Sequence, residues 1–310
     1  MRILDSSQTA RALPYAQLVP ALAQAALQLA DGGIHAPERQ VVAIDRSSVL
    51  LSMPAIGPEI GVTKLITVHG DNARHGLPAI QGEVIVFDSA TGRRLALLDG
   101  PTVTARRTAA VTLLGIRQLL PAAPVSAILI GTGVQAGAHA EALAEFFGMT
   151  EIGIASRDRA SAERFCNALQ KRHPRVAATP MVLAELPERC QDTDLVIALT
   201  TATAPVVPAR LPARTLAIGV GAFKPGMREL PAELLQARPI VVDHLAGARH
   251  EAGDLIDANI DWSRVRQLSD FVAHRREPDA PMPVLKTVGH AAWDLAAARV
   301  AVRADPSKSI

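Results

Sequence analysis

The sequence has little cysteine, no long apolar run and no cluster of basic residues. Its two cysteines, Cys166 and Cys190, form no Cys-X-X-Cys pair, which favours a reduced, cytoplasmic chain. No run of about 18 apolar residues occurs, so no transmembrane helix is expected. The first residues, MRILDSSQTA, lack the charged and apolar regions of a secretory signal.

The charge pattern argues against a nucleic-acid partner. Net charge is +2 and no Lys/Arg run exceeds two residues, whereas nucleic-acid binding needs a clustered basic face. A mild positive balance suits small anionic substrates. With 310 residues, 49% of them hydrophobic, the chain is long enough for two domains with cores of their own. No metal site is expected.

The N-terminal part reads as a substrate-binding α+β domain. Apolar spacing predicts a helix over residues 15–30, and turn-bounded apolar runs predict antiparallel strands over 41–44, 49–53, 62–68, 83–87 and 95–98. Thr104 is a candidate N-cap for a helix running from Ala105 to about Leu120. Prolines at 121 and 124 then mark a domain boundary.

The pattern changes after this boundary to apolar strands alternating with helices. The predicted strands are residues 125–130, 151–155, 195–199, 215–218 and 240–242. This alternation predicts a parallel, doubly wound sheet of the Rossmann type. Residues 286–302 read as a last helix that returns to the first domain, and 305–310 as a frayed tail. The predicted domains are 1–120 with 286–310, and 121–285.

A glycine-rich motif follows the first strand of this second domain. Gly131, Gly133 and Ala136 form a GxGxxA pattern, in which the glycines allow a tight turn and close approach of a pyrophosphate. The helix N-terminus behind it would attract phosphate. The motif predicts a dinucleotide site including Thr132, Val134 and Gln135, and the alternative is a glycine-rich turn in another α/β protein.

The end of the second strand bears on the choice of cofactor. NAD-selective folds place an acidic residue there, whereas this chain has Ser156 followed by Arg157. A hydroxyl and a guanidinium group would accept a 2′-phosphate, which favours NADP. If the register were shifted by two residues, Asp158 would bind the ribose and favour NAD. Alternatively, Arg157 caps a helix or is solvated.

Two cations stand out in the first domain. Lys64 lies inside an apolar strand, where a lysine needs a partner if it is buried; the alternative is a lysine on the wet face of the sheet. Arg107 is expected in the first turn of a helix, where the macrodipole disfavours a cation. A bound anion would account for its presence.

Five segments in order resemble the ornithine cyclodeaminase and mu-crystallin family. They are Lys64 with Asn72, the LDG…T..RTAA pattern at 98–110, the GxGxQA loop at 131–136, EAGDL at 251–255 and TVG…D at 287–294. The resemblance implies a homodimer whose first domains pair, with the active site between the two domains of each subunit. It also implies that Arg39, Lys64 and Arg107 surround the substrate.

The same resemblance extends the expected site. Val288 is expected near the substrate, and Arg107 is expected to reach the cofactor pyrophosphate as well. The remaining cofactor positions are Thr200, Thr201, Val220, Phe223 and Thr287.

Two departures from the cyclodeaminases indicate the chemistry. The family's lyases use an acidic residue two positions before a Met-Pro pair and an aspartate two positions before a Pro-Gly pair. Here these positions are Leu51 and Phe223, which cannot bind an amine or relay a proton. The resemblance then points to NAD(P)H-dependent reduction of pyrroline-2-carboxylate or piperideine-2-carboxylate to proline or pipecolate.

In this hypothesis Lys64 donates the proton, and His69, on the opposite side of an ideal strand, is a second candidate. Three alternatives stay open: an amino-acid dehydrogenase of the alanine type, ornithine cyclodeaminase, and a small-molecule binding protein without activity.

Overall fold

The computed structural model describes residues 1–303, so the predicted tail at 305–310 lies outside the described residues. The chain forms two compact units. Unit 1 contains Met1–Val111 and residues 290–303, and unit 2 contains Thr112–Gly289. The change of unit falls inside a helix, earlier than the predicted boundary at Pro121. The sequence pattern of a continuous helix does not show at which residue the helix stops packing on one unit and begins to pack on the other.

Unit 1 is built on a six-stranded sheet. In chain order its strands are β1 (Arg2–Leu4), β2 (Gln40–Ala43), β3 (Ser48–Ile56), β4 (Ile60–His69), β5 (Ile80–Asp88) and β6 (Arg94–Asp99), and their order in space is β1-β6-β5-β4-β3-β2. β1 pairs in parallel with β6, and the other pairs are antiparallel. The five predicted strands are therefore present. β1 was missed, because three residues carry no readable alternation.

Helices pack on one face of this sheet. Helix α1 (Ser6–Arg11) begins with a capping box between Asp5 and Gln8. Helix α2 (Tyr15–Ala30) has the predicted bounds and buries Leu18, Leu22 and Ala25. The last helix of the chain contacts both α2 and the strands β3 and β4. Alternation along β4 turns Val62, Lys64 and Ile66 toward this covered face.

Helix α3 (Gly100–Leu119) begins earlier than predicted. The carboxylate of Asp99 accepts a hydrogen bond of 2.8 Å from the N–H of Thr102, and so caps the helix. The predicted cap, Thr104, is inside the helix. The placement of Arg107 in the first turn was also wrong, and the macrodipole argument does not apply to it. Pro101 near the helix start does not interrupt it, because the first N–H groups have no helical partner.

Unit 2 is built on an eight-stranded parallel sheet. Its strands are β7 (Ala127–Ile130), β8 (Glu151–Ser156), β9 (Ala177–Val182), β10 (Leu195–Ala198), β11 (Leu216–Gly219), β12 (Ile240–Val242), β13 (Val265–Gln267) and β14 (Val284–Lys286). Their spatial order is β13-β12-β14-β11-β10-β7-β8-β9. This is the predicted doubly wound architecture. The chain reverses its direction of winding between β7 and β10, where such sheets form a crevice for ligands.

The remaining helices are α4 (Val134–Phe147), α5 (Arg159–Arg172), α6 (Leu186–Arg189), α7 (Ala232–Ala237), α8 (Leu245–Glu251), α9 (Gly253–Asp257), α10 (Leu268–Ala273) and α11 (Ala291–Arg303). The predicted start of the last helix at residue 286 was wrong, because Lys286 ends a buried strand and α11 begins at Ala291. Both cysteines are buried and free. Within residues 1–303, no helix combines the length and apolarity needed to cross a membrane.

Candidate active site

A buried ion pair occupies the covered face of the sheet in unit 1. Nζ of Lys64 lies 3.1 Å from one carboxylate oxygen of Asp294 and 2.9 Å from the other. The lysine side chain is 1% exposed and the aspartate is fully buried. The expectation of a lysine on the wet face is thus wrong, and Asp294 on α11 is the partner that makes burial of Lys64 possible.

Arg107 shares the same carboxylate. Its Nε lies 3.2 Å from Asp294 Oδ1, and its side chain is 7% exposed. This Nε nevertheless has no hydrogen-bond partner among the described residues, so the contact is electrostatic. Arg39, just before β2, is close enough for its charge to lower the pKa of Lys64. Lys64 and Arg107 therefore share one carboxylate, with the charge of Arg39 nearby, and the cluster is electropositive.

The surroundings bring the pKa of Lys64 down to about 8. Burial is the main cause, because it disfavours the charged ammonium group. Asp294 opposes this effect, while the positive charges of Arg107 and Arg39 add to it. An ammonium group with this pKa is charged near neutrality and gives up its proton more readily than an exposed lysine.

The structure does not bring His69 into this cluster. It ends β4, where it lies opposite Ser48, and its backbone N–H donates to the carbonyl of Ala79. Five residues of strand separate it from Lys64, a rise of roughly 16 Å. Of the predicted substrate residues, Arg39, Lys64 and Arg107 come together in unit 1, whereas Val288 belongs to unit 2.

Unit 2 has a crevice at the point where its sheet changes winding direction. The cavity has a volume of about 330 Å³. Seven predicted cofactor residues line it: Gly131, Thr132, Gly133, Ser156, Arg157, Thr200 and Thr201. Gly131 has φ +125° and approaches the Leu199 carbonyl so closely that a Cβ would lie 2.7 Å from the oxygen. The position therefore requires glycine.

The N-terminus of α4 lies beside this glycine loop. Its N-cap, Gly133, provides no side-chain cap, and a Cβ there would meet nothing within 4 Å. The first N–H groups of the helix are therefore open to an anionic ligand. Val134 is 78% exposed at the helix start, while the Gln135 carbonyl hydrogen-bonds with His139. These features fit the pyrophosphate of a dinucleotide.

The end of β8 has the predicted register. The strand ends at Ser156, and Arg157 lines the cavity. Asp158 is the N-cap of α5, and its carboxylate accepts a hydrogen bond of 2.8 Å from the N–H of Ser161. That bond lowers the pKa of Asp158. The carboxylate is thus used by the helix rather than by the cavity.

The other predicted cofactor residues follow β11 and β14 at the same edge of the sheet. The N–H of Val220 donates to the Ala198 carbonyl, and the N–H of Thr287 donates to the Gly219 carbonyl. Phe223 lies further along the loop after β11, with the ammonium of Lys224 5.7 Å from its ring centroid. Among the residues described, these three do not line the 330 Å³ cavity.

Sequence reasoning missed four buried charged residues beneath this edge, namely Glu229, Asp243, Asp254 and Lys286. Asp243 accepts hydrogen bonds from the N–H groups of Val288 and Gly289, at 3.0 and 2.9 Å. Lys286 pairs with Asp254 at 2.9 Å. Of these four residues, only Asp254 lies in a segment that the sequence analysis singled out. That segment, EAGDL, supported the family resemblance, but no role was predicted for its aspartate.

Comparison with known proteins agrees with this arrangement. The model of the ornithine cyclodeaminase/mu-crystallin family matches residues 2–306. The chain belongs to this family.

Curated members of the family include similar reductases. The Delta(1)-pyrroline-2-carboxylate/Delta(1)-piperideine-2-carboxylate reductase of Azospirillum brasilense is 43% identical over 96% of this chain and 94% of its own. The ketimine reductase mu-crystallin of Rattus norvegicus is 31% identical, covering 87% and 85%. Among solved structures, Delta(1)-pyrroline-2-carboxylate reductase of Thermococcus litoralis, in complex with NADH and L-proline, has a TM-score of 0.89 at 26% identity, covering 98% and 97%.

Two positions set this member of the family apart from the cyclodeaminase pattern. Leu51 on β3 is an apolar side chain, 8% exposed. Phe223 follows β11, two residues before Pro225. Neither side chain can hold an amine or transfer a proton.

Proposed function

We propose that this protein reduces a small cyclic imino acid, pyrroline-2-carboxylate or piperideine-2-carboxylate, to proline or pipecolate with a nicotinamide cofactor. The observation that carries the proposal is the buried cluster of Lys64, Arg107 and Asp294, which has an excess of positive charge. Relatives named for this reaction cover nearly the whole chain. The glycine loop and the open helix N-terminus in unit 2 fit a dinucleotide.

The carboxylate of the substrate would bind at Arg107, with Arg39 adding positive charge. A guanidinium group can hold a carboxylate through two parallel hydrogen bonds. The Nε of Arg107 and the hydroxyl of Thr104 are both buried, and neither has a hydrogen-bond partner among the residues described. Because these residues are three positions apart on α3, they share one face of the helix. Together they offer unused donors to an anionic ligand.

A nicotinamide held in the cavity of unit 2 would supply the hydride that adds to the carbon of the C=N bond. The nitrogen must carry a proton, which makes the imine electrophilic and leaves a neutral secondary amine after hydride addition. Lys64 is the group that holds this proton, since its ammonium is buried and its pKa is about 8. Arg107 and Asp294 fix the orientation of the substrate and of Lys64, respectively.

We propose a preference for NADPH over NADH. Arg157 lines the cavity at the end of β8, beside the hydroxyl of Ser156. A 2′-phosphate there would meet a guanidinium group instead of a carboxylate. Asp158 does not compete, because its carboxylate caps α5.

We also propose that the active form is a homodimer joined through the outer face of the sheet in unit 1. A row of neighbouring residues crosses this face, and four of its five side chains are apolar. Ile3 pairs with Leu97, Leu97 with Ile85, Ile85 with Thr63, and Thr63 with Pro54. Leu65 and Ile56 lie on the same face and are 44% and 40% exposed. A second copy of the same face would remove this apolar area from water.

Size-exclusion chromatography with light scattering tests the dimer. The double variant with Leu65→Glu and Ile3→Glu should give a monomer.

One substrate panel tests the reaction. Oxidation of NADPH or NADH is measured with pyrroline-2-carboxylate, with piperideine-2-carboxylate, and with pyruvate plus ammonia, and ammonia release is measured with ornithine. The proposal expects oxidation with the cyclic imino acids only. Turnover of pyruvate would indicate an amino-acid dehydrogenase, and stoichiometric ammonia from ornithine a cyclodeaminase. Nucleotide binding without turnover would indicate a binding protein.

A further inference from the structure

A buried carboxylate, Glu229, lies beneath the loop at Thr200, which lines the cavity of unit 2. It is fully buried and lies in the segment between β11 and α7. Burial raises its pKa, an effect that the charge of Lys286 and the backbone donors oppose. The proposed hydride transfer gives this residue no role.

Both oxygens of Glu229 accept hydrogen bonds from loop residues. Oε1 accepts from the N–H of Thr200 at 2.6 Å and from its hydroxyl at 3.0 Å. Oε2 accepts from the N–H groups of Gly221 and Ala222 at 2.7 and 3.0 Å. The two loops follow adjacent strands, β10 and β11. A single side chain therefore ties the cavity-lining segment at Thr200 to the loop that leads to Phe223.

The two loops approach each other closely at Gly221. A Cβ on Gly221 would lie 2.0 Å from the carbonyl oxygen of Thr200 and 2.7 Å from Oε1 of Glu229. The close approach of the two loops thus needs glycine at position 221, and the carboxylate of Glu229 accepts the N–H groups that this approach brings together. Because all four contacts are donors, the ionised form of Glu229 is the form that satisfies them.

A second layer holds Glu229 itself. Asp254 accepts hydrogen bonds from the N–H groups of Glu229 and Leu230, and its other oxygen pairs with Lys286. A Cβ on Gly253 would lie 2.2 Å from the Met227 carbonyl oxygen. The EAGDL segment therefore packs directly against the stretch that presents Glu229.

We infer that Glu229 is a positioning residue for the dinucleotide: its carboxylate holds the loops after β10 and β11 in the arrangement that binds the cofactor. The inference rests on the proposed function, since it assumes that the cavity takes a nicotinamide dinucleotide. It assigns Glu229 no contact with the reacting atoms. Its loss should weaken cofactor binding while leaving the substrate cluster of unit 1 intact.

The test uses Glu229→Gln in the full-length protein, with Glu233→Gln as the control. Glu233 is exposed on α7, so the control makes the same chemical change nearby. In Glu229→Gln an NH₂ group replaces one carboxylate oxygen. This group cannot accept the hydrogen bonds that the oxygen accepts in the wild-type protein. We expect the Kd of NADPH, measured by fluorescence titration, to rise at least about tenfold. The KM for pyrroline-2-carboxylate at saturating NADPH should stay close to that of the control.

Amide hydrogen exchange without nucleotide provides a second readout. In Glu229→Gln, exchange at Thr200, Gly221 and Ala222 should become faster, while exchange in β4 of unit 1 should not change. If the variant does not fold, Thr200→Val and Thr200→Ser replace it. Valine removes a hydroxyl donor to Glu229, so exchange at Gly221 and Ala222 should become faster, and serine should restore it. Because Thr200 itself lines the cavity, loop exchange and not the Kd of NADPH decides this pair.

The outcomes separate this inference from the proposed function. Nucleotide binding and loop exchange like those of Glu233→Gln would overturn the inference, as would equal losses for nucleotide and imino acid. If wild-type protein binds nucleotide but reduces no imino acid, the proposed function fails and the role of Glu229 is still decided by the Kd values. A wild-type protein that binds neither NADPH nor NADH overturns both.

Discussion

The carboxylate of Asp294 contacts Nζ of Lys64 with both oxygens, at 3.1 and 2.9 Å, although the two residues are 230 positions apart. Oδ1 also lies 3.2 Å from Nε of Arg107. One buried anion thus compensates the cations to which we assign substrate binding. Its removal should affect both stability and activity.

Asp294→Asn should destabilise the protein by about 3–5 kcal/mol, because it leaves buried cations without their counter-ion. Urea unfolding measures this difference. Asp270→Asn is a suitable control, since its pair with Arg266 is partly exposed, at 35% for the aspartate and 61% for the arginine, and is worth at most about 1 kcal/mol. Equal losses of unfolding free energy in the two variants would show that the buried ion pair stabilises the protein no more than the Asp270–Arg266 pair does.

The pH profile reports on Lys64. If its ammonium group supplies the proton, kcat/KM should fall as the pH rises through about 8, the pKa of Lys64. Lys64→Met should lower kcat by about 10²–10⁴-fold and remove this limb of the profile. Steady-state kinetics across pH, at saturating cofactor, provide the measurement. An unchanged alkaline limb in the methionine variant would assign the proton to another group.

Arg106 and Arg107 are neighbours in sequence with different expected roles. Arg107→Ala should cost about 2–5 kcal/mol in kcat/KM with a smaller change in stability. Arg106 lies over the ring of Tyr15 and donates to the Leu13 carbonyl, so Arg106→Ala should lower Tm more than kcat/KM. Nucleotide affinity is measured in both variants, because Arg107 is also expected to reach the pyrophosphate. Equal kcat/KM losses in the two variants would remove the distinction.

Cofactor preference should depend on Arg157. Arg157→Ala should reduce the NADPH/NADH ratio of kcat/KM by roughly ten- to a hundredfold, which corresponds to about 1.5–3 kcal/mol. Asp158→Ala should instead lower stability through loss of the α5 cap, with the ratio unchanged. If Asp158→Ala abolishes use of NADH and Arg157→Ala has no effect, Asp158 binds the ribose.

Buried His139 predicts loss of stability in acid. Its Nδ1 lies 2.8 Å from the Gln135 carbonyl oxygen and must donate to it, so Nε2 accepts from the hydroxyl of Thr112. Burial lowers its pKa from 6.5 to about 4. Between these values the unfolded chain binds more protons, so stability falls as the pH falls, by about 1.4 kcal/mol per unit.

His139→Gln should make this acid limb shallower, as measured by urea unfolding across the same pH window. His274→Gln, at an exposed position, should keep the wild-type slope. Equal slopes in the two variants would mean that other groups cause the loss.

Local patterns were sufficient where neighbours in sequence decide the structure. The strand before Gly131, the turn at Gly131 and the end of β8 at Ser156 all depend on nearby residues, and each was predicted. The start of α3 was misjudged because Asp99 and Thr104 are both good caps, and only the fold shows which one meets the free N–H groups.

The partners of the buried charged residues could not be predicted from local sequence patterns, because they lie far away in the chain. Lys64 needed a counter-ion, but no local feature indicated Asp294 on the last helix. Lys286 was placed at the start of the last, alanine-rich helix, and nothing in the local pattern indicated a strand end or its pairing with Asp254. Glu229 was overlooked for the same reason, since its donors come from loops after two other strands.

The position of Asp294 on α11 also has a consequence for biosynthesis. A ribosome completes the contiguous unit 2 by Gly289, while Lys64 still lacks its counter-ion. The sheet of unit 1 cannot bury this lysine at low cost until α11 has left the exit tunnel. The buried cluster of Lys64, Arg107 and Asp294 is therefore completed last, although Lys64 and Arg107 are made early.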